Sequence, residues 1–398
     1  MTQQIQDAYI VAATRTAVGK APRGAYRSTR PDTLLAHALK SVLAQAPGLD
    51  PKRVDDVIVG CAMPEYEQGM NVARIGVLLA GLPSSVAGMT INRFCSSGLN
   101  AVSIAADRIR TGEADIMIAA GTESMSMIPM LGRLALNAEV FAHDENVGIA
   151  YGMGLTAEKV AAQWKISREA QDAFALASHQ KALAAQAAGA FDTEISPLTV
   201  VANAPDLALA RIVSSSKVVA RDEGPRADTS AEGLAKLRPV FAAKGSVTAG
   251  NSSQMSDGAG ASILVSERVL KELNLVPLAR WVGFAVGGVP PEIMGVGPLA
   301  AIPKVLASTG VRQDQIDWIE LNEAFAAQSL AVINELHLDP AKVNPLGGAI
   351  ALGHPLGATG AIRTATNVHG LRRRKQQYGM VTMCVGTGMG AAGIFEAM

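Results

Sequence analysis

The sequence predicts an α/β protein built from two similar halves with a region inserted between them, and three observations carry that expectation. Strand-like apolar runs alternate with helix-like stretches in the first and last thirds of the chain. Those two thirds place their elements in the same order. Between about residues 124 and 249 the composition shifts to Ala-rich helices, polar turns and the loop around Asp222-Glu223-Gly224-Pro225-Arg226. With 398 residues the chain exceeds the size at which one core stops growing, about 250 to 300 residues. The expected halves are 1–123, completed by about 250–276, and 277–398, with 124–249 as the insertion.

The repeat can be followed element by element. In the first half the apolar run 54–60 precedes Asn92 and Cys95, a helix-like segment, and the run 115–122. In the second, the run 316–321 precedes Asn344 and Gly357, another helix-like segment, and the run 380–387. A repeat of this length is not a short-period solenoid. After Cys95, the spacing of Leu99, Val102, Ala106 and Ile109 by threes and fours predicts one buried helix face, which Gly112 ends. Cys95-Ser96-Ser97-Gly98 then lies where a turn feeds the positive end of a helix.

Hydrophobic residues make up 49% and aromatics 4%, so the core is expected to be aliphatic. Lys plus Arg and Asp plus Glu balance at 35 each, which argues against a nucleic-acid partner. The cluster Arg372, Arg373, Arg374, Lys375 closes a helical pattern, where cations suit the negative end of the dipole. Three cysteines, Cys61, Cys95 and Cys384, make neither a disulfide framework nor a zinc site, so a reducing compartment is implied. With no long apolar run, the chain reads as cytoplasmic, without membrane insertion and without a metal.

Four segments hold residues able to do chemistry. Cys95 stands first, because a helix N-terminus is expected to lower a thiol pKa and the thiolate is the nucleophile. Cys61 ends an apolar strand and reads as core. The glycine-dense stretch 347–357 frames His354 between Gly353 and Pro355, and an imidazole there suits acid-base work beside a nucleophile. Cys384 runs into the turn Gly386-Thr387-Gly388, a weak signal alone, and a core cysteine is its bland alternative. Asn322, in Asn322-Glu323-Ala324-Phe325, either orients a water or caps the following helix.

Together these segments resemble the thiolase family over essentially the whole chain. The resemblance rests on Asn92-Arg93-Phe94-Cys95-Ser96-Ser97-Gly98, Asn322-Glu323-Ala324-Phe325, the run 347–355 through His354-Pro355, and Cys384-Val385-Gly386-Thr387-Gly388. The stretches 152–158 and 248–253 match as well. It implies a five-layered α/β/α/β/α body whose insertion covers a coenzyme A site. By the same resemblance, Cys95 takes the acyl group of a 3-ketoacyl-CoA, His354 accepts protons, and Cys384 protonates the departing enolate. Asn322 holds a water facing the enolate oxygen, and the amides of Cys95 and Gly386 face the tetrahedral adduct; glycine at 386 is expected to keep that amide clear. For coenzyme A the resemblance implies Arg226 near the adenine and phosphates and Ser253 at the pantetheine, with Phe241, Ala249, Met153, Met294 and Phe325 as apolar walls.

Thiolases specialised for acetoacetyl-CoA place a histidine before the methionine corresponding to Met153, whereas this chain has Gly152. A degradative 3-ketoacyl-CoA thiolase of fatty-acid β-oxidation is therefore expected, with the acetoacetyl-CoA enzyme as the alternative. Coenzyme A is the co-substrate and no permanently bound cofactor is implied. The family also implies a homodimer or homotetramer, with possible docking to a β-oxidation partner enzyme. A decarboxylating or hydroxymethylglutaryl-type condensing enzyme is disfavoured by Cys384, and a non-catalytic acyl-CoA carrier by the presence of Cys95, Asn322, His354 and Cys384 together.

Overall fold

The computed structural model describes residues 5–130 and 135–398. Its strands are β1 (Ala8–Arg15), β2 (Gly19–Lys20), β3 (Asp56–Gly60), β4 (Met89–Ile91), β5 (Ile116–Ser124), β6 (Leu198–Asp206), β7 (Arg211–Val219), β8 (Ser256–Ser266), β9 (Ala279–Gly288), β10 (Ile316–Leu321), β11 (Tyr378–Val385) and β12 (Met389–Ala397). The principal helices are α1 (Pro31–Ala44), α2 (Val72–Leu79), α3 (Ser97–Arg110), α4 (Met153–Gln163), α5 (Arg168–Ala187), α6 (Pro298–Thr309), α7 (Ala326–Glu335) and α8 (Thr359–Arg374).

The expected repeat is visible in strand order. The first half runs β4-β3-β5-β8-β1, and the second runs β10-β11-β12-β9, with Val343 bridging to Ile319 where a third strand would stand. Pairing directions also agree: β1 with β8 and β9 with β12 are antiparallel, while β3 with β5 and β10 with β11 are parallel. The halves meet edge to edge, through Tyr9 opposite Arg280 and Ile10 opposite Ala279, so one hydrogen-bonded sheet runs through both. Every residue of β1 and β5 is buried, which is why these strands read as continuous apolar runs and not as alternation.

Helices occupy three layers around the two half-sheets. Outside the first, Leu34, Leu35, Leu39 and Val42 of α1 pack with Val57, Val59, Ile116 and Ile118. Outside the second, Ile302 and Val305 of α6 and Val332 and Ile333 of α7 pack with Ile316, Ile319 and Leu321. Between them lie α3 and α8, whose Leu99, Val102, Ala365 and Val368 touch Ile58 and Met117 from one half and Val381, Met383 and Phe395 from the other. Because α3 is enclosed, burial extends past the face its spacing predicts to Ala101, Ser103 and Ala105. The central helices approach so closely that a Cβ on Gly360 would lie 2.1 Å from the Leu99 nitrogen, so glycine is required there.

The chain leaves the first half-sheet at Ser124 and rejoins it at Ser256. The excursion contains α4 and α5 and also the hairpin β6-β7, which the sequence did not suggest: nearly every residue of β7 is exposed, so no burial period marks it. A fully buried charge cluster ties the excursion down. Arg15 at the end of β1 donates through Nε to Glu194 at 2.7 Å and through Nη1 to Asp222 at 2.7 Å, and Asp222 also accepts from the Val18 amide. Removing one member of such a set strands the other. Asp222→Ala is expected to lower the unfolding free energy by about 3 to 5 kcal/mol in urea denaturation; a loss below about 1 kcal/mol, within the range of an exposed pair, would show that Arg15 does not depend on this partner.

The basic cluster at the end of α8 behaves as a helix terminus. Lys375 adopts a left-handed cap, Arg373 donates to the Ala190 carbonyl, and Arg374 stacks on Trp318 at 4.8 Å. Among the described residues no helix is long and apolar enough to cross a membrane.

Candidate active site

Cys95 lies in a single 3-10 turn, Phe94–Ser96, that runs directly into α3. The turn is held from both sides. Asn92 Oδ1 accepts the Phe94 amide at 2.8 Å, Ser97 Oγ accepts the Arg93 amide at 2.8 Å, and Phe94 itself has φ of 43°. Cys95 is half-buried, and the backbone amides of Gly386 and of Cys95 itself lie beside its sulfur. The sequence-based expectation of a lowered thiol pKa is corrected here. Burial pushes the Cys95 thiol up to about 12, the two amides offset part of that, and the charge of Glu123 adds to it. The free protein therefore carries a thiol at position 95 near neutral pH.

His354 is buried in the turn between the short helix Ala349–Leu352 and α8. Gly353 before it has φ of 94°, a conformation that favours glycine. The His354 amide donates to Ser256 Oγ at 3.1 Å and to the Gln254 carbonyl at 3.2 Å. Its ring lies between two polar groups, with Nδ1 2.6 Å from Thr359 Oγ1 and Nε2 3.3 Å from Asn322 Nδ2. With the Asn322 amide donating to Nε2, Nδ1 is the protonated nitrogen and donates to Thr359. Burial first, and then the Arg363 charge, hold the imidazole down at about 3, so it is neutral near neutral pH. Asn322 Oδ1 is buried and has no hydrogen-bond partner among the described residues.

Cys384 closes β11, fully buried. Burial, and then its neighbour Cys95, push this thiol far above its ordinary value, so the two sulfurs sense one another. It packs in one apolar cluster with Met153, Met294 and Phe325. Phe241 meets Phe325 edge to face at 6.1 Å. At Gly386 a Cβ would meet Phe94 at an ordinary 3.5 Å, so packing within the protein does not by itself demand glycine there. Cys61 is buried core, as its strand setting suggests.

A cavity of about 350 Å³ opens between the insertion and the body, lined by Lys20, His179, Arg226, Ala249, Gln254 and Ile350 among others. Arg226 stands at this cavity with its guanidinium on Asp228 at 2.9 Å, and its amide donates to His179 Nδ1 at 3.1 Å. Burial, and then the Arg226 and Lys20 charges, lower the His179 imidazole to about 4. Ser253 donates its amide to the Ala324 carbonyl, one residue before Phe325. Arg226 and Ala249 thus line the cavity, whereas Met153, Met294 and Phe325 pack with Cys384, and Phe241 stands against Phe325. Lys20, His179 and Thr359 are residues that sequence reasoning missed. Lys20 and His179 sit in no dense motif, while Thr359 follows His354 by five residues and was open to notice.

Residues 8–268 match the model of the thiolase N-terminal domain and residues 275–397 that of the thiolase C-terminal domain. The chain belongs to the thiolase family. It is 48% identical over 394 residues to the 3-ketoacyl-CoA thiolase of Bacillus subtilis (strain 168), covering 98% of this chain and 100% of that one. Among solved structures it resembles the acetyl-CoA acetyltransferase of Bacillus anthracis, with TM-score 0.89, 40% identity and all of both chains covered. It also resembles the dimeric peroxisomal thiolase of Saccharomyces cerevisiae, with TM-score 0.87, 43% identity and 99% and 98% of the two chains covered. Within this thiolase, the two half-sheets and the central helices α3 and α8 bring together the Cys95 turn, the turn after His354 and β11.

Proposed function

We propose that this thiolase cleaves 3-ketoacyl-CoA with coenzyme A, giving acetyl-CoA and a shortened acyl-CoA through an acyl-Cys95 intermediate, in fatty-acid β-oxidation. The observation that carries the reading is a half-buried thiol, Cys95, in the turn that enters α3, packed with Leu356 of the turn that holds His354 and near the second thiol, Cys384. The Cys95 sulfur attacks the ketone carbon and its proton passes to neutral His354. The bond between the ketone carbon and the α-carbon breaks, and its electron pair moves onto the acetyl fragment as an enolate, which Cys384 protonates to release acetyl-CoA. Coenzyme A then attacks the acyl-Cys95 thioester. The proton of its thiol and the proton on His354 restore the two cysteines.

Each oxyanion has donors assigned to it. The Cys95 and Gly386 amides face the tetrahedral adduct, and His354 with a water on Asn322 faces the enolate oxygen; each such donor is worth about 3 to 4 kcal/mol by removal. Coenzyme A is the co-substrate. It lies with its polar end toward Arg226 and its pantetheine past Ser253, with Met153, Phe241, Ala249, Met294 and Phe325 as walls. No metal or permanently bound group takes part in this scheme. The enzyme acts as a cytoplasmic homodimer or homotetramer, which the likeness to a dimeric yeast thiolase supports, and docking to a β-oxidation partner enzyme is part of the same reading.

Chain-length tolerance rests on Gly152. A Cβ built there meets nothing within 4 Å, so the backbone before Met153 faces open space. Turnover is expected with acetoacetyl-CoA, 3-ketohexanoyl-CoA, 3-ketodecanoyl-CoA and 3-ketopalmitoyl-CoA. Turnover of acetoacetyl-CoA alone would favour the second reading, an acetoacetyl-CoA thiolase, to which the resemblance to an acetyl-CoA acetyltransferase structure points.

A further inference from the structure

The histidine turn and the nucleophile turn come from different halves of the repeat, and one buried carboxylate joins them. Glu123, at the end of β5, is 1% exposed. Its Oε2 accepts the Gly357 amide at 2.9 Å, three residues after His354, and the Ala62 amide at 2.7 Å. Its Oε1 accepts the Met63 amide at 3.3 Å and the Gln68 side-chain amide. On the far side of the same segment the Ala62 carbonyl accepts Asn92 Nδ2 at 3.1 Å, and Asn92 Oδ1 accepts the Phe94 amide beside Cys95. The chain of contacts is thus His354 turn, Gly357, Glu123, Ala62, Asn92, Phe94, Cys95.

Four donors converge on Glu123, a demand that only an ionised carboxylate meets with all its lone pairs. We propose that Glu123 is a positioning residue of the thiolase reaction, a carboxylate strut that sets the Cys95 turn and the His354 turn in register across the two halves. Its charge has a second effect, since it lies near enough to Cys95 to disfavour the thiolate. A glutamine at this position keeps the shape but offers one acceptor oxygen to four donors and turns an NH2 toward an amide. The proposal rests on the reading of Cys95 and His354 as nucleophile and base.

The test combines turnover with the pH profile of Cys95 alkylation by iodoacetamide, a reaction that needs no catalysis. Cys95 is half-buried while Cys61 and Cys384 are fully buried, so the label reports on Cys95. In Glu123→Gln, kcat is expected to fall on the order of 100-fold, the effect of misplacing reacting groups by about an ångström. KM for coenzyme A should stay unchanged, because the coenzyme A cavity does not include this residue, and the alkylation midpoint should move to lower pH as a neighbouring negative charge is lost. Wild-type kcat, or a fall in kcat with an unmoved midpoint, would overturn the proposal. Should Glu123→Gln not fold, Asn92→Ala cuts the same chain at an exposed residue, and single-turnover acylation of Cys95 is expected to slow about tenfold; an unchanged rate would again overturn it. A wild-type protein that alkylates at Cys95 but never acylates there would sink the functional reading instead, and the two failures are distinguishable.

Discussion

Cys95→Ser is expected to abolish thiolysis, lowering kcat on the order of 10⁴-fold or more, the scale seen when a covalent nucleophile is removed. The residual rate should be independent of the other groups, since nucleophile, base and oxyanion donors act as one unit. A serine hydroxyl is a far weaker nucleophile than a sulfur, and the burial that already holds the thiol up at about 12 disfavours an alkoxide further. Steady-state thiolysis of 3-ketodecanoyl-CoA, with loss of the thioester-enolate absorbance, measures this. Activity within tenfold of wild type would assign the attack to another group.

Cys384→Ala is expected to separate the two halves of the reaction. Acyl transfer to Cys95 from acetyl-CoA should survive to a measurable degree, while exchange of acetyl-CoA α-protons with deuterated water should fall by about 10²- to 10⁴-fold, the range for a positioned acid-base group. The direction follows from the site. Cys384 is fully buried, and its thiol is held protonated by burial and by Cys95, as a proton donor to a carbanion must be. Normal exchange in the variant would move the proton-transfer role elsewhere.

The fold was legible in the sequence wherever burial left a periodic or repeated mark. The matching order of runs 54–60 and 316–321, and of 115–122 and 380–387, became strands in equivalent places of two half-sheets, and the three-four spacing after Cys95 became α3. The hairpin β6-β7 was not legible, because nearly every side chain of β7 stays in solvent and β6 only half-buries alternate residues such as Leu198 and Val200, leaving a weak apolar pattern to read. The edge-to-edge junction of the halves was equally hidden, since backbone pairing between Tyr9 and Arg280 leaves no trace in side-chain type.

The candidate site divides along the same physical line. Cys95, His354, Asn322 and Cys384 stood out as reactive residue types set among glycines or at element ends. The ionisation of Cys95 did not, because a helix N-terminus is a local feature whereas desolvation depends on Phe94, Gly386 and the opposite half packing around the sulfur. Glu123 reads as an ordinary acidic residue after a strand, and only the tertiary arrangement shows the four donors that surround it. Thr359 and His179 acquire meaning in the same way, through a ring nitrogen at 2.6 Å in one case and the amide of Arg226 in the other.

The most direct measurement is peptide mapping by mass spectrometry after the wild-type enzyme is mixed with a 3-ketoacyl-CoA and no free coenzyme A. The shortened acyl group should appear on the peptide containing Cys95, in proportion to the acetyl-CoA released, and should leave when coenzyme A is added. An acyl group on Cys384 or Cys61, or turnover with no acylated peptide at all, would contradict the covalent role of Cys95.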